Sequence, residues 1–253
     1  MTTGSVDILG YKISSKGLKA DAEQVHQYIK AGTNAKYMAC ANPHSLVEAG
    51  SDHNFKEALH KADILLPDGS GILLAAKILN LDIKERVAGT EFFIELTRLC
   101  NEQKNINVFF LGSTEEVLES LVVQVKKNFP NVNVCGTYSP PFKTEFSDQE
   151  NQTMINAVNA AEANVLWVGM TAPKQEKWIY QNKDKLNVNF IGAIGAVFDF
   201  YSGTKKRAPQ WICSLGLEWL PRLLREPGRL WKRNFVSSPL FLIAVFKQKL
   251  GLG

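Results

Sequence analysis

An aspartate and two glycines interrupt an apolar stretch, LLPDGSGILLAAKIL, at residues 65–79. Asp68 follows a short strand-like run, and glycines beside it let another molecule approach the backbone closely. A carboxylate in that position can act as a general base that removes a proton from a hydroxyl nucleophile. From this stretch alone, a turn or a cap of the helix predicted over Ser70–Leu79 is the commoner role for such a residue. Asp68 is therefore a candidate catalytic residue with a structural alternative.

The stretch GMTAPKQEKW contains a second group of candidates. Pro173 suits the first position of a helix, so Lys174, Gln175 and Glu176 fall in the opening turn. Free backbone N–H groups at a helix start, together with Lys174 and Gln175, can bind a phosphate or a sugar. The alternative is an ordinary helix start.

Two turns contain glycines that could adjoin a ligand. In FFLGST, Gly112 precedes Glu115 and Glu116, whose charges would repel a phosphate and favour a nucleoside-binding or purely structural role. The S-x-x-E pattern at 113–116 predicts a helical capping box, as does that at 147–150. GAIGAV, at 192–197, does not match G-x-G-x-x-G and comes late in the chain, which weakens a dinucleotide interpretation.

Short apolar runs alternate with helical patterns and must position these residues. The strand-like runs are Val6–Ile13, Tyr37–Ala41, Ile64–Leu66, Val108–Leu111, Val132–Cys135, Val165–Val168 and Phe190–Ile194. This alternation predicts an α/β, Rossmann-like fold, in which a mostly parallel sheet has helices on both faces. Ligands of such sheets bind beyond the carboxyl ends of the strands. The residues predicted at that edge are Asn42, Asp68, Gly112, Gly169–Gln175 and Asp199.

The charge distribution divides the 253 residues into a core at 1–203 and a helical appendage at 204–253. The appendage has ten Lys or Arg and two Glu, hence +8, while the net charge of +4 leaves −4 for the core. Such a basic tail favours anions: phosphates, nucleic acid or a membrane surface. No recognised nucleic-acid motif accompanies it, so we expect no nucleic-acid partner.

Two features of the appendage indicate a membrane surface. The cations of EWLPRLLREPGRLWKR recur three or four apart and can share one helical face, interleaved with Leu and Trp: Arg222, Arg225, Arg229, Lys232 and Arg233. The apolar block Leu240–Phe246 is too short to cross a bilayer, which needs about 20 residues. It could lie on one.

Other sequence features exclude several classes of protein. Cys40, Cys100, Cys135 and Cys213 lie far apart without a C-x-x-C pair, which predicts buried free thiols. His53 and His60 could share a helix face, but no ligand context joins them, so we predict neither a metal nor a cofactor. The first residues alternate like a strand and show no signal-peptide pattern, so we expect a cytoplasmic protein.

Five ordered motifs together resemble the WecG/TagA/CpsF glycosyltransferases, glycosyltransferase family 26, over essentially the whole chain. They are PDGSG at 67–71, ERVAGTEFF at 85–93, APKQEKWI at 172–179, GAVFDFYSGTKKRAP at 195–209 and LGLEWLPRLLREPGRLWKR at 215–233. The resemblance implies an inverting, metal-independent enzyme that moves a sugar from a UDP-sugar to a polyprenyl-diphosphate-linked sugar. It further implies a homo-oligomer that works peripherally at the cytoplasmic membrane face, in cell-surface polysaccharide or teichoic-acid assembly.

The resemblance also assigns roles to individual residues. Asp68 matches the proposed base, and Arg86 and Gln175 match active-site positions. An acidic side chain at Asp199 could hold ribose hydroxyls. The tail cations Arg222, Arg229 and Lys232 would close over the site and neutralise a diphosphate. Where the family pattern has Thr-x-Asn after the second strand, this chain has Cys40 and Asn42, and Lys232 replaces an arginine.

Two alternatives stand beside the glycosyltransferase hypothesis. A nucleotide-cofactor oxidoreductase would share the fold class, but it should have a glycine fingerprint after its first strand, which this chain lacks. A non-enzymatic membrane scaffold would depend on the tail and not on Asp68.

Overall fold

The computed structural model describes residues 4–103, 105–204, 228 and 231–252. Its strands are β1 (Ser5–Ile8), β2 (Tyr11–Ser14), β3 (Lys36–Ala41), β4 (Ile64–Pro67), β5 (Asn107–Gly112), β6 (Asn133–Tyr138), β7 (Val165–Gly169) and β8 (Phe190–Ala193). The last six form one sheet in the order β4-β3-β8-β7-β5-β6, and every neighbouring pair is parallel. Helices cover this sheet, which confirms the predicted Rossmann-like α/β fold.

Helices connect the strands of the six-stranded sheet, and one more helix lies near the end of the described chain. They are α1 (Leu18–Lys30), α2 (Pro43–Ala49), α3 (His53–His60), α4 (Ser70–Leu79), α5 (Gly89–Glu102), α6 (Glu115–Asn128), α7 (Asp148–Ala160), α8 (Lys174–Asn182), α9 (Val197–Tyr201) and α10 (Ser238–Lys249). A 3₁₀ turn at Lys183–Lys185 follows α8, and a π-helical segment at Lys232–Ser237 leads into α10. The predicted helix over Ser70–Leu79 is confirmed.

Side chains that alternate along the central strands build two cores, one on each face of the sheet. On β7, Val165 and Trp167 pack with the buried faces of α1, α5 and α6. Leu166 and Val168 of the same strand pack with α7 and α8 on the other face. Burial on both faces explains why the strands read as nearly continuous apolar runs.

The first predicted strand, Val6–Ile13, is wrong: the chain forms an antiparallel hairpin of β1 and β2 instead. Leu9 and Gly10 occupy the two-residue turn with φ of 54° and 82°, and this pair of left-handed residues is typical of a tight hairpin. The hairpin buries Ile8 and Ile13 in a third core with residues of α2, α3, α4 and α10.

One of the two predicted capping boxes is confirmed. Ser147 caps α7, its Oγ accepting from the Glu150 N–H and its own N–H donating to Glu150 Oε2. At the start of α6 the prediction was wrong by one residue, because Ser113 adopts a left-handed φ of 58° and Thr114 becomes the cap. Thr114 Oγ1 accepts from the Val117 N–H at 3.4 Å.

Four asparagines at the amino ends of neighbouring strands are hydrogen-bonded to one another. Asn133 Nδ2 donates to Asn107 Oδ1 at 2.8 Å, and the Asn107 backbone N–H donates to Asn164 Oδ1 at 2.8 Å. Asn164 Nδ2 donates to Asn189 Oδ1 at 3.1 Å, and Asn189 Nδ2 donates to the Thr33 carbonyl. This asparagine chain closes the amino edge of the sheet across β6, β5, β7 and β8.

The C-terminal helix α10 packs beside α2 and α4 through Phe241 and Val245, both fully buried. Within the described residues, no helix combines the length and the apolar character that crossing a membrane requires. Half of the predicted basic appendage, at 205–227 and 229–230, lies outside the described residues.

The predicted thiols and histidines are placed by the fold. Cys40, Cys100 and Cys135 are free thiols, as predicted, but only Cys100 is a buried residue, while Cys40 and Cys135 are partly buried. Cys213 lies outside the described residues. His53 and His60 both belong to α3, where the His60 ring stacks on Tyr11 at 4.5 Å between centroids. In the part of the chain that the structure describes, no group of three or more His, Cys, Asp or Glu could hold a metal ion.

Candidate active site

A cleft of about 1600 Å³ lies along the carboxyl ends of the strands. Segments that follow β3, β4, β5, β6, β7 and β8 all line it, as do the start of α5 and part of the C-terminal region. Six of the predicted site residues line this one cleft: Asn42, Asp68, Arg86, Lys174, Gln175 and Asp199. The parallel sheet therefore brings together residues that are up to 157 positions apart in the chain.

Asp68 lies directly after β4 and is tied to the next strand through its backbone. Its N–H donates to the Ala41 carbonyl at 2.8 Å, where β3 ends. Helix α4 begins two residues later and has Gly69 as its N-cap residue, with φ of 106°. Asp68 is therefore not the N-cap of α4. The backbone fixes this carboxylate at the rim of the sheet, in the lining of the cleft.

Asn42 combines a structural bond with a place in the cleft. Its side-chain oxygen accepts from the Ser45 N–H at 3.0 Å, and Ser45 Oγ accepts from the Asn42 N–H, which together form a capping box for α2. The oxygen is thus committed to the helix. The amide nitrogen, a donor, is the group of Asn42 that can serve a ligand.

Arg86 stands just before α5, with 23% of its side chain exposed. Its guanidinium lies 3.8 Å from Glu91 Oε1, in the first turn of that helix. This contact holds a permanent cation at the wall of the cleft. A guanidinium in such a place can stabilise negative charge on a bound diphosphate.

Cys40 lies between several carboxyl groups. Burial raises the pKa of its thiol well above the usual value, and Asp68, Glu176 and Glu91 raise it further. The Gly89 backbone N–H donates to the sulfur, and a Cβ on Gly89 would lie 3.6 Å from Cys40 Sγ, in ordinary van der Waals contact. The thiol is therefore neutral and offers a weaker hydrogen bond than a hydroxyl would.

The first turn of α8 contributes two buried polar side chains. Gln175 is 5% exposed and Glu176 is 3% exposed, yet both line the cleft. Gln175 Nε2 donates to Glu176 Oε1 at 2.8 Å. Burial raises the pKa of Glu176 to about 7. Gln175 Oε1 and Glu176 Oε2 are buried and have no hydrogen-bond partner among the described residues.

Lys174 connects α8 to the loop that follows β6. Its ammonium donates to the Lys143 carbonyl at 2.8 Å and lies 4.8 Å from the centroid of the Phe146 ring. Burial lowers the pKa of Lys174. Phe142 of the same loop is fully exposed and lines the cleft. Lys174 thus positions the loop at the cleft as well as lining it.

The turn after β8 brings the backbone close to α8. Gly195 has φ of 45°, and a Cβ there would lie 3.3 Å from Gln175 Oε1. Asp199 follows in α9, where its carbonyl accepts from Ser202 Oγ and from Thr204 Oγ1. This turn therefore places Asp199 in the same lining as Gln175.

Among the predicted site residues of the core that the structure describes, Gly112 is the one that lies outside the cleft lining. It does not line the cleft, although Ser113, the next residue, does. A Cβ on Gly112 would lie 2.4 Å from the Gly169 carbonyl oxygen, and its φ is 124°. The absence of a side chain allows the ends of β5 and β7 to meet, which is a structural role.

The segment before α10 is tied to α2 at the edge of the cleft. Lys232 forms an ion pair with Glu48 at 3.0 Å, and Ser237 Oγ lies 2.9 Å from His44 Nδ1. Lys232 itself is not part of the lining, whereas Arg233 is. The predicted cations Arg222 and Arg229 lie outside the described residues.

Sequence reasoning missed Glu176 and Arg233 as candidates. Glu176 was recognised in the opening turn of a helix, but an acidic residue there is common and its burial is not visible in the sequence. Arg233 belongs to the predicted basic face beside Lys232. The signal that could have identified Arg233 is its position in the sequence shortly before the apolar stretch that forms α10.

Fold and cleft together define an α/β protein with a ligand site at the carboxyl edge of a parallel sheet, where such proteins bind their substrates. The family model of the Glycosyl transferase WecG/TagA/CpsF family matches residues 6–253. The chain belongs to this family and is a glycosyltransferase.

Two curated relatives have the same described activity. An N-acetylglucosaminyldiphosphoundecaprenol N-acetyl-beta-D-mannosaminyltransferase of Staphylococcus aureus (strain MW2) is 27% identical over 98% of this chain and 94% of its own. The enzyme of that description from Bacillus subtilis (strain 168) is 29% identical over 84% of this chain and 79% of its own. Membership of a glycosyltransferase family decides against the oxidoreductase and scaffold alternatives.

Proposed function

We propose that this enzyme transfers an N-acetylmannosaminyl residue, or a closely related hexosyl residue, from a UDP-sugar to a polyprenyl-diphosphate-linked N-acetylglucosamine. The observation that carries the proposal is Asp68, held by its backbone at the end of β4 in a cleft that also contains Arg86 and Asp199. The names of the two relatives support the sugar that is transferred and the lipid-linked acceptor.

In the proposed reaction Asp68 is the general base. Its carboxylate takes the proton of the acceptor hydroxyl as that oxygen attacks the anomeric carbon. The bond from the anomeric carbon to the diphosphate breaks, and UDP leaves. A single displacement of this kind inverts the anomeric configuration. General-base catalysis contributes about 10²- to 10⁴-fold to such reactions.

The departing diphosphate requires positive charge or N–H donors. Arg86, Lys174 and Arg233 all line the cleft. Fixed cations in a partly dehydrated cleft can neutralise a leaving group without a metal ion. We therefore propose a metal-independent mechanism in which Asp199 binds the ribose hydroxyls. Arg222, Arg229 and Lys232 would complete the site from the tail.

The tail helix supports peripheral binding to the membrane that carries the acceptor. Exposed apolar side chains recur at helical spacing along α10 and the segments that flank it. They lie on the side of the helix opposite its buried face: Val236, Leu240, Ile243, Phe246 and Leu250. Lys247 and Lys249 follow in the last turn. A helix of this kind lies in the interface, with cations near lipid phosphates. We propose docking at the cytoplasmic face; assembly into a homo-oligomer stays a prediction.

The test is UDP release from a panel of UDP-sugars by the full chain. Each donor is supplied with and without a short-chain polyprenyl-diphosphate N-acetylglucosamine, in the presence of EDTA. We expect release that depends on the acceptor, is strongest with UDP-N-acetylmannosamine and is unaffected by EDTA. No release across the panel from folded protein would contradict the proposed reaction, and loss of release with EDTA would contradict metal independence alone.

A further inference from the structure

Two exposed apolar side chains line the cleft, and they come from distant parts of the chain. Leu74 of α4 is 46% exposed, and Phe235, in the π-helical segment before α10, is 49% exposed. Single apolar residues on an outer surface are ordinary, but these two lie inside a ligand site. Apolar side chains in water are favourably buried when an apolar group binds against them. Their exposure in the cleft indicates a ligand that has an apolar part.

Leu74 belongs to the side of α4 that lines the cleft. Gly71 and Leu74 both line it, and residues three apart lie on one side of a helix. Ile72 and Ala75, on another side of α4, are buried in the third core. A Cβ on Gly71 would lie 2.4 Å from Pro43 Cγ, so the start of α4 packs closely against α2. Leu74 stays uncovered one turn further along the helix.

The C-terminal region supplies the second wall. Phe235, Ser238 and Leu242 all line the cleft at spacings of three and four, which place them on one side of a helical segment. Phe241 beside them is fully buried in the core that α10 shares with α4, so the two helices are neighbours. The lining formed by Leu74, Phe235, Ser238 and Leu242 is here called the apolar groove.

The lining changes from cationic to apolar along this segment. Arg233 lines the cleft, and Ser238 Oγ donates to its carbonyl at 3.1 Å. Phe235 and Leu242 follow Arg233 in the same lining. A polyprenyl diphosphate has its groups in the same order, since the first isoprene unit is bonded directly to the diphosphate. A guanidinium suits the diphosphate, and apolar side chains suit the isoprene units.

The apolar groove is also continuous with the surface proposed to dock on the membrane. Phe246 lies one turn beyond Leu242 on α10 and is 52% exposed. Leu240 and Ile243, at neighbouring positions of the same helix, are exposed as well. A chain that leaves the groove along α10 would therefore pass into the apolar region of a bilayer.

We propose that the apolar groove binds the isoprene units next to the diphosphate of the acceptor, so that the enzyme recognises the lipid chain itself and not only the membrane that contains it. This inference rests on the proposed function, whose acceptor carries a polyprenyl chain. It adds a binding site for that chain and two residues, Leu74 and Phe235, that contact it.

The first experiment leaves the membrane out. UDP release by the full chain is measured with N-acetylglucosamine linked to geranyl diphosphate or to methyl diphosphate, both in solution without vesicles or detergent. We expect kcat/KM to be at least about tenfold higher for the geranyl acceptor, because its two isoprene units leave water when they enter the groove. Values that agree within about twofold would overturn the inference and leave the bilayer as the partner of these side chains.

The second experiment changes each wall of the groove separately. Leu74→Asn and Phe235→Asn remove apolar surface, and Ile94→Asn, at a 39% exposed position of α5 outside the cleft, is the matched control. The ratio of kcat/KM for the geranyl acceptor to that for the methyl acceptor should fall at least about threefold in L74N and in F235N. It should stay unchanged in I94N.

This ratio separates contact with the lipid chain from general damage to the enzyme. A defect in folding or in catalysis lowers both values of kcat/KM and leaves their ratio unchanged. An unchanged ratio in the groove variants that fold overturns the inference. If those variants instead change the oligomeric state in light scattering while the ratio stays constant, the groove is a contact between two copies of the chain.

Binding without turnover separates this inference from the proposed function. The full chain is titrated with geranyl diphosphate and with methyl diphosphate in a calorimeter, and we expect at least about tenfold tighter binding of the geranyl compound. A chain with this preference that releases UDP from no donor contradicts the proposed function and supports the groove. A chain that transfers to both acceptors equally, or binds both diphosphates equally, overturns the groove and leaves the transferase standing.

Discussion

The two edges of the six-stranded sheet carry polar side chains in opposite states of hydrogen bonding. At the amino edge, the asparagine chain of Asn133, Asn107, Asn164 and Asn189 links four strands. At the carboxyl edge, Gln175 Oε1 and Glu176 Oε2 are buried without a partner among the described residues. Both groups lie at edges of the same sheet, so the difference does not come from the strand order but from how the side chains pack at each edge.

This contrast separates polar groups that hold the structure together from those available to a ligand. Polar groups that satisfy one another lower the energy of the folded state and have nothing left to offer. Groups left unpaired in a cleft are destabilising until a ligand binds. Substitutions at the amino edge should therefore change stability, and substitutions at the carboxyl edge should change activity.

The largest effect is expected from Asp68→Asn. The amide cannot accept the proton of the acceptor hydroxyl, so kcat/KM for UDP release should fall about 10²- to 10⁴-fold. The variant should still fold, because the bond from Asp68 to Ala41 is a backbone bond that the substitution keeps. Asp184→Asn, at an exposed position after α8, is the control and should retain full activity. A D68N enzyme with nearly full activity would remove Asp68 as the base.

The next effect is a pH-dependent gain in stability in Glu176→Gln. Burial raises the pKa of Glu176 from 4.5 to about 7, so the folded state binds a proton that the unfolded state has released. The wild-type unfolding free energy should therefore fall as pH rises from about 4.5 to about 7, by up to roughly 3 kcal/mol from this group.

Urea denaturation at several pH values measures that difference. The stability of E176Q relative to wild type should be lowest near pH 4 and highest near pH 8. Burial raises the pKa of Asp21 to about 6, so Asp21 also lowers the unfolding free energy as pH rises. This contribution is the same in E176Q and in the wild type and cancels when the two proteins are compared. A difference that does not vary with pH would show that Glu176 titrates normally.

A smaller loss of stability is expected from Asn164→Ala at the amino edge. The substitution leaves the Asn107 N–H and Asn189 Oδ1 without their partner, at a cost of about 1–3 kcal/mol in unfolding free energy. The kcat/KM should stay within about twofold, since Asn164 is at the edge opposite the cleft. Asn156→Ala, an exposed helical position of α7, is the control for stability. A large loss of activity in folded N164A would contradict the expectation that the amino edge contributes to stability and not to activity.

The smallest effect concerns membrane docking beside the carboxyl edge. Phe246 is 52% exposed on α10, and replacing it with Asn should weaken binding to anionic vesicles about tenfold, because part of one aromatic side chain no longer leaves water. Transfer to a water-soluble short-chain acceptor should be unchanged. Val123→Asn, at a 62% exposed position of α6, is the control. Equal vesicle binding by both variants would contradict docking through α10.

Much of the fold could be predicted because its signals are local. The runs at 37–41, 64–66, 108–111, 165–168 and 190–194 fall on strands of the sheet, since strands buried on both faces are apolar almost throughout. The hairpin of β1 and β2 was missed because a leucine occupies one of its two left-handed turn positions. Gly10 suits the second position, but Asn, Asp or Gly, which favour the first position of such a turn, is absent there.

The site could be predicted in part by the same logic. Asn42 and Asp68 follow strands, and parallel topology brings all such positions to one edge, so both line the cleft. Gly112 also follows a strand, yet it faces the Gly169 backbone. Glu176 differs from an ordinary helix-start glutamate in its burial, which depends on β3, β8 and the turn at Gly195 around it.

The sequence by itself determined the alternation of strands and helices, the candidates at the strand ends and the family to which the chain belongs. These follow from backbone propensity, apolar periodicity and local motifs. Only the tertiary structure decided which polar groups form hydrogen bonds. The asparagines of the amino edge bond to one another. Gln175 and Glu176 bond to each other, and one oxygen of each has no partner among the described residues. Hydrogen bonding and burial depend on distances between residues remote in the chain, and packing sets those distances.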